Sequence, residues 1–283
     1  MFDRILFPLD FSEQSLRMFD CLLELHHLGT REVILCHVAP SGRSLTTEQK
    51  GMMDRMRDDL VKGGMKGSEV VEEGDPVEKV LEVADRENVD LIAMASSGKG
   101  KAREFIVGST SFGVLRSSTR PVLINKFIVV RREGATSVAP SCRSIFRKAL
   151  VPIDFSSCTE MYMDLLPEFT KRGLQESVLF HVVEGSKVNM DDDERFNVVL
   201  GDVQGRLDDI RKKLEGRGCA VTTHVHFGTV SYNILEASRE LEATVIVLGA
   251  HRKSLLRELA LGGNSEAVVR RSQVPLLILP CER

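Results

Sequence analysis

"RILFPLDFSE", residues 4–13, returns almost intact as "KALVPIDFSS", residues 148–157. Two more stretches behave the same way. "EVILCHVAP" (32–40) returns as "ESVLFHVVE" (176–184), and "STRPVLI" (118–124) as "SQVPLLI" (272–278). The offset is constant at first, since Asp154 minus Asp10 and His181 minus His37 are both 144. It then settles at 154, for Gly228 against Gly74, Gly262 against Gly108 and Pro275 against Pro121. The chain is a tandem duplication whose second copy carries ten extra residues before Gly228. The acidic run "NMDDDERF" (189–196) lies in that interval and reads as a solvated loop rather than a cation site. The expected division is repeat 1 over 1–127, a linker over 128–145 ("IVVRREGATSVAPSCRSI") and repeat 2 over 146–283.

Each copy alternates short β-branched runs with helical patterns, which is the signature of a parallel sheet covered by helices on both faces. In repeat 1 the strands are expected near 3–8, 32–38, 68–73, 90–96 and 121–127. Ser12 is placed to cap the first helix, whose Leu16, Phe19, Leu22 and Leu23 make a core stripe. Met52, Met53, Met56 and Leu60 mark the second helix as core packing. "GDPVEKVLEVADREN" (74–88) opens the third with Asp75 as cap, Pro76 in the first turn and Glu78 completing a capping box. A fourth helix is expected to start at or just after Ser109.

Composition excludes several classes of function. Apolar content of 42% and charged content of 28% are those of an ordinary globular protein. A net charge of −3 makes no electrostatic case for nucleic acid or an anionic membrane as partner. No apolar run reaches the roughly 18 residues of a membrane span. The N-terminal "MFDRILFPLD" carries an acid early and runs into a strand, so no signal peptide is expected. Cys21, Cys36, Cys142, Cys158, Cys219 and Cys281 show no paired spacing and read as buried or incidental thiols of a reducing cytoplasm. His224 and His226 share one face of a strand without any further ligand pattern.

Ligands of an open parallel sheet bind beyond the carboxyl ends of its strands. Two features fall there. Asp10, in "PLDFS", follows the first strand; the dipole of the helix behind it would suffice to explain one acid. The other is "ASSGKGKAREFIVGST", residues 95–110, after the fourth strand. It is not a P-loop, because position 100 is glycine where Ser or Thr is required. Nor is it a dinucleotide fingerprint, because position 103 is arginine where the third glycine belongs. Gly98 permits a tight turn, and Gly108, Ser109 and Thr110 stand where a helix should begin. Free amides, a positive dipole end and two hydroxyls suit a phosphate, although simple capping of the loop fits them too.

Taken together, the motifs resemble those of the universal stress protein family. Its ATP-binding members carry Gly-x-x-Gly, nine residues, then Gly-Ser or Gly-Thr; here the match runs Ala95, Ser96, Ser97, Gly98, then 99–107, then Gly108-Ser109. "PLDFS", the "HV" at the end of the second strand and "RPVLI" also look like that family. The resemblance covers nearly the whole chain, once per repeat. It implies two tandem Rossmann-like α/β domains of the adenine nucleotide alpha hydrolase-like type, each a five-stranded parallel sheet of order 3-2-1-4-5. It further implies an adenine nucleotide across the ends of strands 1 and 4: ATP, ADP or AMP, with or without Mg²⁺. In repeat 1 the implied site is Pro8, Leu9, Asp10, Val38, Met94, Ala95, Gly98, Lys99, Gly108, Ser109 and Thr110. Asp10 would hold the adenosine, the Val38 backbone the adenine edge, and Gly98, Gly108, Ser109 and Thr110 the phosphates. Ala95 departs from the family's first glycine, at a cost only if its φ must be positive.

In repeat 2 the corresponding residues are Ile153, Asp154, Val182, Gly249, Arg252, Gly262, Gly263, Asn264 and Ser265. Gly249 restores the first glycine, but Arg252 replaces the second and Gly263 the serine. Arg252 either clashes with the turn or reaches a phosphate as a charged donor. Asn264 and Ser265 are placed to supply lost polar contacts. The implied role is a cytoplasmic, nucleotide-binding stress-response or signalling protein, not an enzyme, because no acid, base or metal cluster recurs beside the glycine turn. A slow ATPase or nucleotidyl-transfer enzyme and a nucleotide-free interaction module are the rival readings. "RPVLINKFIVV" and "VPLLILPCER" are apolar edge-strand candidates, so the repeats are expected to pair as a pseudo-dimer, with room for a further homodimer.

Overall fold

The computed structural model describes residues 2–96, 107–125, 128–132, 135–139, 145–184, 193–252, 259–260 and 262–281. Repeat 1 runs β1 (Arg4–Pro8), α1 (Glu13–Glu24), β2 (Glu32–Ala39), α2 (Thr47–Lys62), β3 (Lys66–Glu73), α3 (Pro76–Arg86), β4 (Leu91–Ala95), α4 (Ser109–Ser117) and β5 (Val122–Asn125). In the stretch read as a linker, β6 (Ile128–Arg132) and β7 (Ala135–Ala139) form an antiparallel ribbon. Repeat 2 follows with β8 (Lys148–Pro152), α5 (Cys158–Thr170), β9 (Glu176–Val183), α6 (Asp193–Glu215), β10 (Val221–Phe227), α7 (Val230–Glu240), β11 (Val245–Arg252), β12 (Leu259–Ala260), α8 (Gly263–Arg271) and β13 (Leu276–Cys281). Among the described residues no helix is long and apolar enough to cross a membrane.

Strand order is β3-β2-β1-β4-β5 in one repeat and β10-β9-β8-β11-β13 in the other, so each has the expected 3-2-1-4-5 arrangement. Neighbours within a repeat are parallel, and β12 adds a short antiparallel pairing to β11. The two sheets join into one. β13 and β5 pair antiparallel, with Leu276 opposite Ile124, Leu277 opposite Leu123 and Ile278 opposite Val122. The apolar edge that each repeat would expose alone is thus covered by the other.

Both faces of the sheet are covered, which is why strands such as "ILF" are apolar without alternation. Ile5 and Phe7 point into one core, with α1, α2, α5 and α6; Leu6 points into the other, with α3, α4, α7 and α8. Each core draws on both repeats. On the first face Phe2 packs on Phe169 with ring centroids 5.8 Å apart, and the Arg172 guanidinium donates to the Leu28 carbonyl. On the second, the Arg270 guanidinium lies 4.3 Å from the centre of the Phe112 ring.

The local signals mostly act as expected. Ser12 accepts from the Ser15 N–H at the start of α1, and Asp75 accepts from the N–H groups of Val77 and Glu78 at the start of α3. The reciprocal capping box forms instead at α2, between Thr46 and Gln49. The cysteines depart from expectation. Cys158 and Cys281 are joined as a disulfide, with Cα atoms 5.4 Å apart, and Cys21 is disulfide-bonded as well. Cys36 and Cys219 are the free, buried thiols. The reading of all six as thiols is therefore corrected: pairing depends on closeness in space, and Cys158 and Cys281 stand 123 residues apart in sequence.

Candidate functional site

The site grows out of the turn after β1. The sheet sets the backbone there, with the Leu9 N–H bonded to the Cys36 carbonyl at 2.8 Å. Asp10 then accepts from the Ser12 N–H at 3.0 Å. Between them Phe11 sits at φ 58°, a left-handed conformation that a bulky side chain adopts only when its surroundings impose it. Those surroundings are visible. The Phe11 ring packs against His37 with centroids 4.8 Å apart, and His37 Nδ1 donates to the Leu9 carbonyl at 2.8 Å. The acceptor is a carbonyl, so Nδ1 is the nitrogen that carries the proton.

Repeat 2 builds the same latch. Phe155 has φ 58°, Ser156 N–H donates to Asp154 at 3.0 Å, the Phe155 ring lies 4.8 Å from His181, and His181 Nδ1 donates to the Ile153 carbonyl at 2.6 Å. The effect in both is to aim an aspartate outward at the carboxyl end of the sheet. Burial pushes the Asp10 carboxyl upward, but hydrogen bonds from Ser12 and Ser15 outweigh it and hold the group below the usual carboxylate range. It is an anion at neutral pH.

Across from Asp10 stands the amino end of α4. Gly108 is its cap residue and, lacking a side chain, makes no cap bond to the first-turn amides. Ser111 is tied back, its hydroxyl donating to the Ala95 carbonyl at 3.2 Å. Pro8, Leu9, Asp10, Val38, Met94, Ala95, Gly108, Ser109 and Thr110 all border one cavity of about 190 Å³. Gly98 and Lys99 lie outside the described residues. Pro76, Val80 and Cys36, which the motif reading left out, supply apolar wall on the side of β2 and α3. Burial, with Glu72 nearby, pushes the Cys36 thiol up to about 12, so it stays protonated. Ala95 ends β4 in ordinary extended backbone, so alanine costs nothing there.

The second cavity, of about 880 Å³, is bordered by Ile153, Asp154, Val182, Gly249, Gly262, Gly263, Asn264 and Ser265. Arg252 ends β11, and its side chain lies outside the described residues. Gly262 caps α8, again without a side-chain bond. Among the bordering residues that sequence reasoning missed are Cys158 and Tyr162. The Gly249 N–H donates to the Tyr162 hydroxyl at 2.6 Å. A Cβ on Gly249 would fall 2.6 Å from Cys158 Sγ and 2.9 Å from Cys281 Sγ. A side chain at position 249 would press on the disulfide. The equivalents of Cys158 and Tyr162 in repeat 1 are Gln14 and Met18, which carry no such signal.

Comparison with known proteins places this geometry. The model of the universal stress protein family matches residues 1–126 and again 145–280. Universal stress protein MJ0577 of Methanocaldococcus jannaschii is 30% identical over 156 residues, which is 44% of this chain and 96% of that protein. Universal stress protein YxiE of Bacillus subtilis is 27% identical over 146 residues, covering 44% of this chain and 99% of that protein. Among solved structures, a universal stress protein from Archaeoglobus fulgidus superposes with a TM-score of 0.72 at 25% identity, covering 99% of both chains.

Proposed function

Because the chain belongs to the universal stress protein family, we propose that its first repeat binds an adenine nucleotide and acts through that ligand in stress response or signalling. The observation that carries this is the uncapped amino end of α4, which shares one cavity with the ionised Asp10. An anion at a helix start satisfies first-turn amides and gains from the dipole. Ser109 and Thr110 add hydroxyl donors, and Gly98 and Lys99 complete the phosphate side. Asp10 takes the adenosine, whose ribose hydroxyls are donors to a carboxylate. The Val38 backbone meets the adenine edge, and Cys36, Val80 and Met94 form the apolar wall for the base. ATP, ADP and AMP all satisfy this chemistry, with Mg²⁺ as an optional companion of the longer phosphates. The working units are residues 1–127 and 146–283, joined by 128–145, in a cytoplasmic protein.

The ligand is held rather than turned over. Phosphoryl transfer needs an oriented nucleophile and a held metal ion. Asp10 is the acidic side chain among the described residues bordering the first cavity, and it is committed to the nucleoside. Repeat 2 takes nucleotide more weakly, because it has lost a hydroxyl at Gly263 and its Gly249 amide is already bonded to Tyr162. The test is mass spectrometry of small molecules released when the purified protein is denatured, followed by calorimetric titration with ATP, ADP and AMP. Release of an adenine nucleotide and saturable heat are expected; neither release nor heat would make the chain a nucleotide-free interaction module.

A further inference from the structure

We infer that the second cavity takes an adenine nucleotide bearing an apolar acyl group on its ribose, with that group housed between α5 and α6 in an annex that repeat 1 lacks. The core of the ligand rests on the nucleotide reading above; the annex does not. Apart from Ser12 and Ser15, every described residue bordering the first cavity has its repeat counterpart bordering the second. A shared wall suits a shared moiety. The second cavity then goes further, since Cys158, Tyr162, Val183, Val199 and Val203 also border it. All five belong to or pack against the core on the α5 and α6 face, whereas Phe180, Val182, Ile234 and Leu248 belong to the core on the opposite face. The cavity therefore passes over the carboxyl ends of β8 and β9, where Val182 points to one side and Val183 to the other. In repeat 1 the counterparts Gln14, Met18 and Ala39 do not border the cavity, and neither does any described residue of α2.

The extra residues of the second copy account for the annex. α6 has 23 residues and α2 has 16. Their carboxyl ends agree at the 154-residue offset, with Leu214 at the place of Leu60 and Gly218, φ 85°, at the place of Gly64, φ 82°. The added length is thus at the amino end, about two turns of helix. Gln49, which repeat 1 uses to close the capping box with Thr46, becomes Val203 inside a continuous helix. Val199 lies one turn earlier on the same face, and Leu207, one turn later, carries that face into the core. The same helix sets the Arg206 guanidinium 3.8 Å from the centre of the Phe155 ring, and so presses on the turn that aims Asp154. Asp154 follows β8, at the passage between the two chambers. A ribose held there has one hydroxyl to donate to the carboxylate and another to carry an ester into the annex. Tyr162 already accepts from the Gly249 N–H, and the valines offer no polar atom, so the annex favours apolar carbon over water. The whole volume of about 880 Å³ suits a ligand larger than a bare nucleotide.

The probe is ATP esterified on its ribose with N-methylanthranilate, an aromatic acyl group whose emission rises in apolar surroundings, set against plain ATP and free N-methylanthranilate. In the full-length Asp10→Ala chain, where the first cavity is weakened, the ester should bind about tenfold more tightly than ATP, as burial of one ring requires. Its emission should rise on binding. Val203→Phe in that background fills the annex and should bring the Kd of the ester to that of ATP, with the rise in emission gone. Val199→Phe, one turn earlier at a less buried position, repeats the test where Val203→Phe lowers the urea midpoint. In the Asp154→Ala chain, which leaves the first cavity to bind, the ester should have no advantage. An ester that binds no better than ATP, or an advantage that survives both substitutions, would overturn the inference. So would free N-methylanthranilate binding as tightly as the ester, since the nucleotide would then contribute nothing. If the Asp10→Ala chain binds neither nucleotide while the unsubstituted chain binds ATP, the inference fails and the nucleotide reading of repeat 1 stands; if the unsubstituted chain binds neither, both fail.

Discussion

Replacing Gly249 with alanine separates two reasons for a glycine at the end of the fourth strand of repeat 2. If glycine is there to let a phosphate approach the backbone, Gly249→Ala should weaken nucleotide binding and leave stability alone. The structure says the reverse. The new methyl would lie 2.6 Å from Cys158 Sγ, 2.7 Å from Cys158 Cβ and 2.9 Å from Cys281 Sγ, all atoms of a bridge anchored at both ends. Overpacking of this kind costs about 1–3 kcal/mol, and the gain from replacing glycine inside a strand returns about 0.5–1 kcal/mol. The net expectation is a loss of about 1–2 kcal/mol, or a fall in Tm of a few degrees for a chain of this size. In a Cys158→Gly/Cys281→Ala background both sulfurs and the Cβ at 158 are gone, and the same substitution should stabilise by about 0.5–1 kcal/mol. The cycle should therefore close with a coupling of about 1.5–3 kcal/mol, measured from urea midpoints at constant m. Nucleotide affinity should be unchanged, since repeat 1 carries Ala95 at this position. Equal effects in both backgrounds would refute the packing explanation.

Three other outcomes are expected. Asp10→Ala should lower ATP affinity by one to two decades, as loss of a charge-assisted bond worth about 1.5–3 kcal/mol requires, and Asp154→Ala should remove much less of the heat in calorimetry; the opposite ranking would make repeat 2 the principal site. Phosphate release from ATP should stay far below ordinary enzyme rates, and release at such rates that Gly108→Val abolishes would restore the ATPase reading. Because the folded-state pKa of Asp10 is depressed, its contribution to stability is fully present above the unfolded value of about 3.9 and is lost as pH falls through the folded value. Asp10→Asn should therefore flatten the acid limb of a denaturation-against-pH curve without changing the limb above neutrality.

Much of this was legible from residue order alone. The 144- and 154-residue offsets show two copies, and the apolar runs show buried parallel strands, because a strand covered on both faces needs no polar alternation. Ser12, Asp75 and the helix start at Ser109 are local signals, set within a turn or two of chain, and the structure places all three as read. The family motif drew Asp10, Val38, Ala95 and Gly108 to one cavity because each lies at a strand end or helix start that the repeat pattern locates.

What only the tertiary structure decided are the contacts between residues distant in sequence. His37 repeats at the same offset as Asp10, yet nothing local tells that its ring holds Phe11 left-handed and bonds the Leu9 carbonyl. Cys158 and Cys281 became partners only when α5 and β13 met beside β11, and the same meeting set their sulfurs against Gly249. Periodicity reports what a residue's neighbours along the chain require of it. A bond across 123 residues depends on how whole elements pack, and no short window of sequence holds that information.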